Sequence, residues 1–231
     1  IANDARVELR YVDSEEIDAS RVASLIGGCD AVLIPGGFGQ RGIEGKILAI
    51  RYAREHNIPF FGICLGLQLS VVEYLRHVAG LADAHSVEFA PQTANPAVRM
   101  MDEQRRVVDL GGTMRLGTYP CVLKEGSRAR QVYGSPEIQE RHRHRYEVNP
   151  AYHARIEEAG MVISGTSPDG TLVEMVEIPN HPYFVACQFH PEFKSRPLAP
   201  HPLFTAFVRA ALERQLRAGR EASLSGPTAI A

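Results

Sequence analysis

Apolar residues in the first third of the chain occur in runs whose spacing alternates between strand-like and helix-like. Three short apolar runs occupy positions 7–12, 31–35 and 58–64, and each is typical of a strand. Between the last two, positions 45–55 carry apolar side chains at helical spacing. This order of strand, helix and strand predicts neighbouring parallel strands in one sheet.

The later part of the chain predicts a change in the sheet. After a helix that should begin directly after residue 64 and end near Gly80, strand candidates follow at 114–123, 141–148, 161–165, 172–177 and 184–189. Because short connections join antiparallel strands, part of the sheet should be antiparallel or mixed. A last helix is predicted from about 201 to 215, with its apolar residues on one side.

These patterns predict one α/β domain at residues 1–217, with a mixed, mainly parallel central sheet flanked by helices. Residues 218–231 are rich in Ala, Ser, Gly and Pro and lack an apolar period, so we expect a disordered C-terminal tail there. The chain begins with Ile1, directly before the first strand candidate, and we expect it to be one domain of a longer polypeptide.

Charge and cysteine content narrow the classes of function. With 25 basic and 27 acidic side chains, the chain has no positive excess that would bind a nucleic acid or an anionic membrane. Its most apolar stretch, 58–75, is interrupted by polar residues and falls short of a bilayer span. The four cysteines form no close pairs in the sequence, which favours reduced thiols and a cytoplasmic protein.

Cys64 stands where a predicted buried strand meets a predicted helix, with glycine at positions 62 and 66. This is the nucleophile-elbow pattern with cysteine in place of serine. The turn strains the backbone of the nucleophile, and the glycines leave room around it. Because the amino end of the following helix favours a thiolate, we predict that Cys64 is a nucleophile.

A cysteine nucleophile needs a base, and the base needs a group that orients it. Of the nine histidines, His190 ends the apolar run 183–189 and is followed by Pro191 and Glu192. The proline turn would let the Glu192 carboxylate fold back towards the imidazole. Since a cysteine and a histidine at strand ends can share one edge of a sheet, we predict a triad of Cys64, His190 and Glu192.

Together these residues resemble the class I (triad) glutamine amidotransferases. Longer stretches at 35–39, 111–117, 141–149 and 185–193 resemble the amidotransferase domain of the CTP synthase family in particular. The resemblance covers roughly residues 7–212 and implies a flavodoxin-like α/β fold that hydrolyses glutamine. Between residues 90 and 111 the chain is shorter than the family leads us to expect, with a charged segment at 102–106.

The glycine-rich loop at 37–42 matches G-x-G-x-x-G and could indicate a dinucleotide site. The next strand ends in the cysteine turn and not in an acidic residue that would hold a ribose, so we reject that interpretation. Amide hydrolysis gives these glycines another use, because its tetrahedral intermediate carries an oxyanion that needs N–H donors. We predict that Gly37 and Leu65 supply them.

Glutamine carries an ammonium and a carboxylate, so its pocket needs groups of both charges. The resemblance implies a pocket formed by side chains or backbone groups of Gln68, Glu88, Arg145, Leu65, Gly66 and Leu67. Glu88 would pair with the ammonium. Arg141, Arg143 and Arg145 share one face of a predicted strand, so charge alone does not select the arginine that binds the carboxylate.

His142 and His144 alternate with these arginines and could suggest a metal site. No cysteine or carboxylate lies at ligand spacing around them, so an exposed basic strand is the favoured interpretation. The resemblance implies that this strand and residues 113–115 lie near the place where GTP acts as an allosteric activator.

The resemblance also implies partners for a full-length protein. Ammonia would pass to an amino-terminal synthetase domain of the same polypeptide, which is absent from this chain and uses ATP, UTP and Mg²⁺. The full-length protein would be a homo-oligomer, a tetramer, and residues 1–217 would hold no cofactor or metal. Two other functions remain open: a free-standing amidase similar to γ-glutamyl hydrolase, and a non-catalytic regulatory module with the same fold.

Overall fold

The computed structural model of the chain describes residues 1–100 and 114–224. Its strands are β1 (Val32–Ile34), β2 (Phe60–Ile63), β3 (Ala84–Ser86), β4 (Asn95–Met100), β5 (Arg115–Leu123), β6 (Glu137–His144), β7 (Tyr146–Val148), β8 (Val162–Thr166), β9 (Val173–Glu177) and β10 (Phe184–Cys187). Its α-helices are α1 (Val22–Ile26), α2 (Ile43–Glu55), α3 (Leu65–His77), α4 (Arg128–Tyr133), α5 (His153–Glu158) and α6 (Pro202–Leu224). Short 3₁₀ turns occupy Ser14–Glu16, Pro150–Tyr152 and Pro191–Phe193.

In the described residues, the larger sheet has the strand order β1-β2-β10-β9-β8-β5-β6. β2 pairs in parallel with β1 and β10, and the other four strand pairs of this sheet are antiparallel. The α/β class and the mixed sheet are therefore confirmed, whereas the sheet is less parallel than predicted. The reason is that β8, β9 and β10 follow one another through connections too short for a crossover helix.

The core lies on both faces of the parallel part of this sheet. Side chains along a strand point alternately to opposite faces, and two adjacent phenylalanines of β2 illustrate this. Phe60 stacks on Phe184 at a centroid distance of 4.5 Å in the layer formed with α2 and α3. Phe61 packs against Phe204 and Phe207 of α6 on the other face. Burial on both faces fixes the position of β2 in the domain, and with it the position of the turn that follows β2.

Three predicted elements differ in the structure. Residues 7–12 form no strand, since they pair with no strand of the described residues and leave Val7, Leu9 and Tyr11 exposed. The predicted strand at 141–148 is interrupted at Arg145, so that β6 belongs to the larger sheet and β7 to a smaller sheet of order β3-β4-β7. β3 and β4 were not predicted, because their short runs are only partly apolar.

The last helix is longer than the sequence pattern predicted. α6 continues beyond residue 215 to Leu224, so it includes the start of the segment for which we predicted a disordered tail. Alanine, arginine and glutamate in this part are strong helix formers even without an apolar face. Some of the segments named in the sequence analysis lie outside the described residues: 102–106, 111–113 and 225–231. No helix in the described part is both long and apolar enough to cross a membrane.

A buried ion pair joins the two helices that cover one face of the sheet. Arg54 of α2 forms a two-pronged contact with Glu73 of α3, with nitrogen to oxygen distances from 2.7 to 3.2 Å. The Glu73 side chain is fully buried, and the ring of His77 lies 3.2 Å from the same carboxylate. A carboxylate in this environment depends on its partner, because it has lost its hydration.

Replacing Arg54 by methionine should therefore destabilise the fold by about 3 kcal/mol, since it leaves the Glu73 charge buried without its main partner. Arg51→Met is the matched control on the same helix, because Arg51 makes an exposed pair with Glu55 that is worth under about 1 kcal/mol. Urea unfolding of both variants measures the difference. Equal losses in the two variants would contradict this account of the helix interface.

Candidate active site

The carboxyl ends of the parallel strands bring the predicted catalytic residues to one edge of the sheet. β2 lies between β1 and β10 and ends at Ile63, directly before Cys64. β1 leads into Gly36 and Gly37 on one side of Cys64, and β10 leads to His190 on the other. Because neighbouring parallel strands end at the same edge, these residues meet although they are distant in the sequence.

The turn at Cys64 has the strained geometry of a nucleophile elbow. Cys64 has φ 52° and ψ −99°, a conformation that costs a non-glycine residue free energy. Its N–H donates to the carbonyl of Cys187 at 2.7 Å, which ties the turn to β10. A Cβ at Gly62 would lie 2.8 Å from the backbone of Gly66, and one at Gly66 would overlap the carbonyl oxygen of Ile34. The glycine on each side of Cys64 is therefore required by close backbone contacts.

Cys64 and His190 lie on the same side of the sheet and close together. A Cβ placed at Gly36 would be 2.8 Å from His190 Cε1 and 3.5 Å from Cys64 Cβ. Both side chains therefore border the same small volume, which only glycine leaves open. The sequence analysis did not single out Gly36, because its role depends on a contact with a residue more than 150 positions away.

Glu192 orients the imidazole of His190, as predicted from the proline turn. The distance from His190 Nδ1 to Glu192 Oε1 is 2.7 Å. When Nδ1–H donates to this carboxylate, Nε2 is the nitrogen that can accept a proton. Nε2 is buried and has no hydrogen-bond partner in the described part of the chain. The ring is therefore held with a proton-accepting nitrogen in the buried part of the site.

Burial governs the protonation of the nucleophile. The pKa of the Cys64 thiol is raised to about 12, chiefly by burial; the Leu65 N–H opposes this shift, and the carboxylates of Glu147, Glu192 and Glu88 add to it. The helix end thus acts in the predicted direction but is outweighed by desolvation. Cys64 is a thiol at neutral pH in the absence of substrate, so a base must remove its proton during any reaction.

The glycine-rich loop lies beside the nucleophile turn. A Cβ at Gly37 would be 3.4 Å from the side chain of Leu65, so the two predicted oxyanion donors belong to adjacent segments. Further along the loop, the Gly39 N–H donates to Glu88 at 3.4 Å. Burial raises the pKa of Glu88, and the positive charge of Arg145 opposes this shift. Glu88 therefore lies at the edge of the site, where the positive charge of Arg145 acts on it.

The structure separates the three arginines that the sequence left equivalent. Arg141 and Arg143 lie on the exposed face of β6 and line a cavity of about 630 Å³ with Leu116 and Phe193. Arg145 lies in the bend between β6 and β7, on the side of Glu88. Arg145 is thus the arginine whose position matches a carboxylate-binding role next to Glu88.

Gln68 belongs to the floor of the site. Its side chain is almost fully buried on the first turns of α3, directly after Leu65, Gly66 and Leu67. Its Nε2 donates to the carbonyl of Tyr146 at 2.9 Å and to Gln188 Oε1 at 3.2 Å. Gln188, which the sequence analysis did not identify, connects Gln68 to the strand that carries His190.

The histidines of β6 are buried, so the prediction of an exposed basic strand is wrong for them. Along β6 the arginines face solvent, while His142 and His144 point into the domain and contact each other at 2.9 Å between ring nitrogens. Period-two alternation separates the two residue types, and only the sheet context determines which face is buried. Within the described residues, no three His, Cys, Asp or Glu side chains are placed to hold a metal ion.

These histidines belong to a buried charged cluster beneath the site. Arg115 Nη1 lies 2.7 Å from Glu174 and 3.6 Å from Glu147, and both carboxylates are fully buried. Burial and the neighbouring Glu174 raise the pKa of Glu147 to about 8, against the effect of Arg115. Burial raises the pKa of Glu174 to about 7, again opposed by Arg115. Desolvation and Arg115 lower the pKa of His142 to about 2 and that of His144 to about 3. Two carboxylates thus share one guanidinium beside two neutral imidazoles.

Comparison with known proteins agrees with this geometry. A family model described as Glutamine amidotransferase class-I matches residues 2–210. The chain belongs to this family. Among curated relatives, the CTP synthase of Geobacter sulfurreducens is 59% identical over 215 residues, which are 93% of this chain and 40% of the relative. The CTP synthase of Staphylococcus aureus is 57% identical over 209 residues, which are 90% of this chain and 39% of the relative.

The chain thus spans about 40% of the length of these curated relatives. Among solved structures, the glutaminase domain of Trypanosoma brucei CTPS with bound acivicin is 42% identical and superposes with a TM-score of 0.87. That match covers 92% of this chain and 83% of the other. A putative GMP synthase protein from Thermoplasma acidophilum, 17% identical with a TM-score of 0.54, shares the fold, and the match covers 90% of this chain and 81% of that one. The amidotransferase domain therefore groups with those of CTP synthases.

Gly36→Ala should lower glutamine hydrolysis by about 100-fold, because the new methyl group displaces the His190 ring from Cys64. Gly28→Ala is the control, since a Cβ there meets nothing within 4 Å. Ammonia release by both variants measures the effect. Full activity in Gly36→Ala would mean that His190 does not occupy this position in the working enzyme.

The buried carboxylates predict how stability depends on pH. Their pKa values in the folded domain exceed the ordinary glutamate value of 4.5, so their stabilising effect is fully present below about pH 4.5 and is lost progressively as pH rises from there to about 7 to 8. Glu147→Gln should therefore exceed the wild type in unfolding free energy by more than about 1 kcal/mol at pH 9, and by less at pH 5. Urea unfolding at both pH values tests this, with the exposed Glu137→Gln on β6 as the control. A difference that does not change with pH would contradict the buried proton.

Proposed function

We propose that this domain hydrolyses L-glutamine to glutamate and ammonia as the amidotransferase part of a CTP synthase. The observation that carries the proposal is the meeting of Cys64, in its strained turn, with His190 around the space at Gly36. The grouping of the domain with CTP synthases supports the choice of substrate. Within this proposal Cys64, His190 and Glu192 form the catalytic triad.

The reaction begins with proton transfer from the Cys64 thiol to His190 Nε2. The resulting thiolate attacks the side-chain carbonyl carbon of glutamine, and the electron pair of the C=O bond moves to oxygen. The N–H groups of Gly37 and Leu65 stabilise this oxyanion. When the C–N bond breaks, His190 returns its proton to the departing nitrogen, so ammonia leaves and a γ-glutamyl thioester remains on Cys64.

Water completes the cycle. His190 takes a proton from a water molecule, whose oxygen attacks the thioester carbonyl, and the C–S bond then breaks. Glutamate leaves, and the Cys64 sulfur regains its proton from His190. Glu192 stabilises the imidazolium that forms in both halves, which is consistent with its 2.7 Å contact to Nδ1. No metal is needed at any step, because the protein supplies the nucleophile and the base.

The residues around the triad select the substrate. Glu88 pairs with the α-ammonium and Arg145 with the α-carboxylate, and the effect of the Arg145 charge on the pKa of Glu88 supports this assignment. Gln68 and the backbone of Leu65, Gly66 and Leu67 complete the pocket. With both ends of the amino acid held, the side-chain amide is directed towards Cys64.

The ammonia serves an amino-terminal synthetase domain of a longer polypeptide. There UTP, activated by ATP with Mg²⁺, accepts the ammonia to give CTP, and GTP activates the process. The enzyme works as a tetramer in the cytoplasm, and its four unpaired cysteines are compatible with a reducing compartment. The curated relatives, which are more than twice as long as this chain, support the longer polypeptide.

Cys64→Ala in the full-length protein should abolish glutamine hydrolysis, because no other group can form the thioester. CTP formation supported by added ammonia should survive, since that step does not use this site. Cys29→Ala, a partly exposed cysteine at the opposite edge of the sheet, is the control and should keep both activities. Glutamine hydrolysis by Cys64→Ala would exclude this nucleophile. A free-standing amidase would show hydrolysis without any CTP formation, and a regulatory module would show neither.

A further inference from the structure

The short turn that carries Glu192 is attached to β6 at both of its ends. At the start, the His190 N–H donates to the carbonyl of Arg141 at 2.8 Å. At the end, Lys194 Nζ donates to the carbonyl of Gln139 and lies 3.4 Å from the carboxylate of Glu140. The turn is therefore held against one strand by a backbone bond on one side and a lysine side chain on the other.

Between these two attachments, Pro191 is buried, whereas the two residues that follow it are largely exposed. The Glu192 side chain is 44% exposed and Phe193 is 49% exposed. The ring of Phe193 stacks on the ring of His190, with centroids 5.1 Å apart and planes 20° apart. Glu192 and Phe193, which both contact the His190 ring, therefore depend on the conformation of this turn.

Glu140 provides a buried negative charge that favours a cation at the position of Lys194. Its carboxylate is almost fully buried and accepts hydrogen bonds from Tyr133 at 3.1 Å and from His201 at 2.9 Å. A carboxylate that has lost its hydration attracts a cation strongly. Lys194, whose side chain is 41% exposed, can reach this carboxylate because it directly follows the 3₁₀ turn. The lysine is thus held at a fixed point, unlike a typical surface lysine.

We infer that Lys194 is a positioning residue for glutamine hydrolysis, which ties the end of the turn to Glu140 and so keeps Glu192 and Phe193 on His190. This inference rests on the proposed function. Within the described residues, the Lys194 side chain forms its hydrogen bond and ion pair with Gln139 and Glu140, and not with Cys64 or the groups assigned to glutamine, so it would act through the histidine. Its loss should lower the rate of the chemical step and leave glutamine binding unchanged.

The test uses the full-length protein and two substitutions of one residue. Lys194→Met keeps the length of the side chain and removes its donor, whereas Lys194→Arg keeps a donor that can reach Gln139 and Glu140. The matched control is Lys124→Met, because Lys124 makes a 2.7 Å ion pair with Glu157 and is similarly exposed. For each variant, kcat and KM for glutamine and the thermal unfolding midpoint are measured.

We expect Lys194→Met to reduce kcat by about tenfold, since a small displacement of a catalytic group has an effect of this order or larger. KM should change by less than about twofold, Lys194→Arg should recover most of the rate, and the Lys124→Met control should match the wild type. A kcat within about twofold of the wild type in Lys194→Met would overturn the inference. The inference would also be overturned if Lys194→Arg failed to restore the activity that Lys194→Met loses. The same holds if the loss of activity in Lys194→Met matched a loss of folded protein in the thermal unfolding measurement. Wild-type hydrolysis that does not depend on Cys64 would instead refute the proposed function.

Discussion

The active site depends on one strained residue between a strand and a helix. Cys64 adopts a positive φ that costs on the order of 1–3 kcal/mol, and the surrounding structure must hold it there. β2 is buried on both faces, its last residue pairs with β10, and the Cys64 N–H is bound to Cys187. The glycines at 36, 62 and 66 leave the space that this geometry needs. The fold therefore offsets the strain of one backbone angle with a rigid, glycine-lined edge.

The same burial that fixes the nucleophile also keeps it neutral. Desolvation and nearby carboxylates raise the pKa of the Cys64 thiol to about 12, so the proposed reaction needs His190 to take the proton from the sulfur. Glu147, which belongs to the buried cluster with Glu174 and Arg115, contributes to this increase because its charge, when ionised, disfavours a thiolate. The burial of Cys64 therefore determines both its position and its pKa.

The sequence predicted the centre of the site better than its surroundings, and the reason is physical. Cys64, His190 and Glu192 are marked by local patterns, a glycine-flanked turn and a proline turn, and parallel strands bring such ends together. The burial of His142 and His144 has no local mark, because it depends on Arg115 and Glu174 on other strands. Residues 7–12 have the composition of a strand, but a strand also needs a partner. Local chemistry was therefore predictable, whereas the faces and partners of strands were set by contacts between distant segments.

The central claim is that the Cys64 sulfur forms a covalent bond with the substrate. Mixing the full-length protein with glutamine and quenching with acid within milliseconds to seconds would preserve a thioester for mass spectrometry of the digested protein. The account predicts a γ-glutamyl adduct on the peptide that contains Cys64, and no adduct in a sample that is made with glutamate. An adduct on another residue, or turnover of glutamine without any adduct at Cys64 under these conditions, would contradict it.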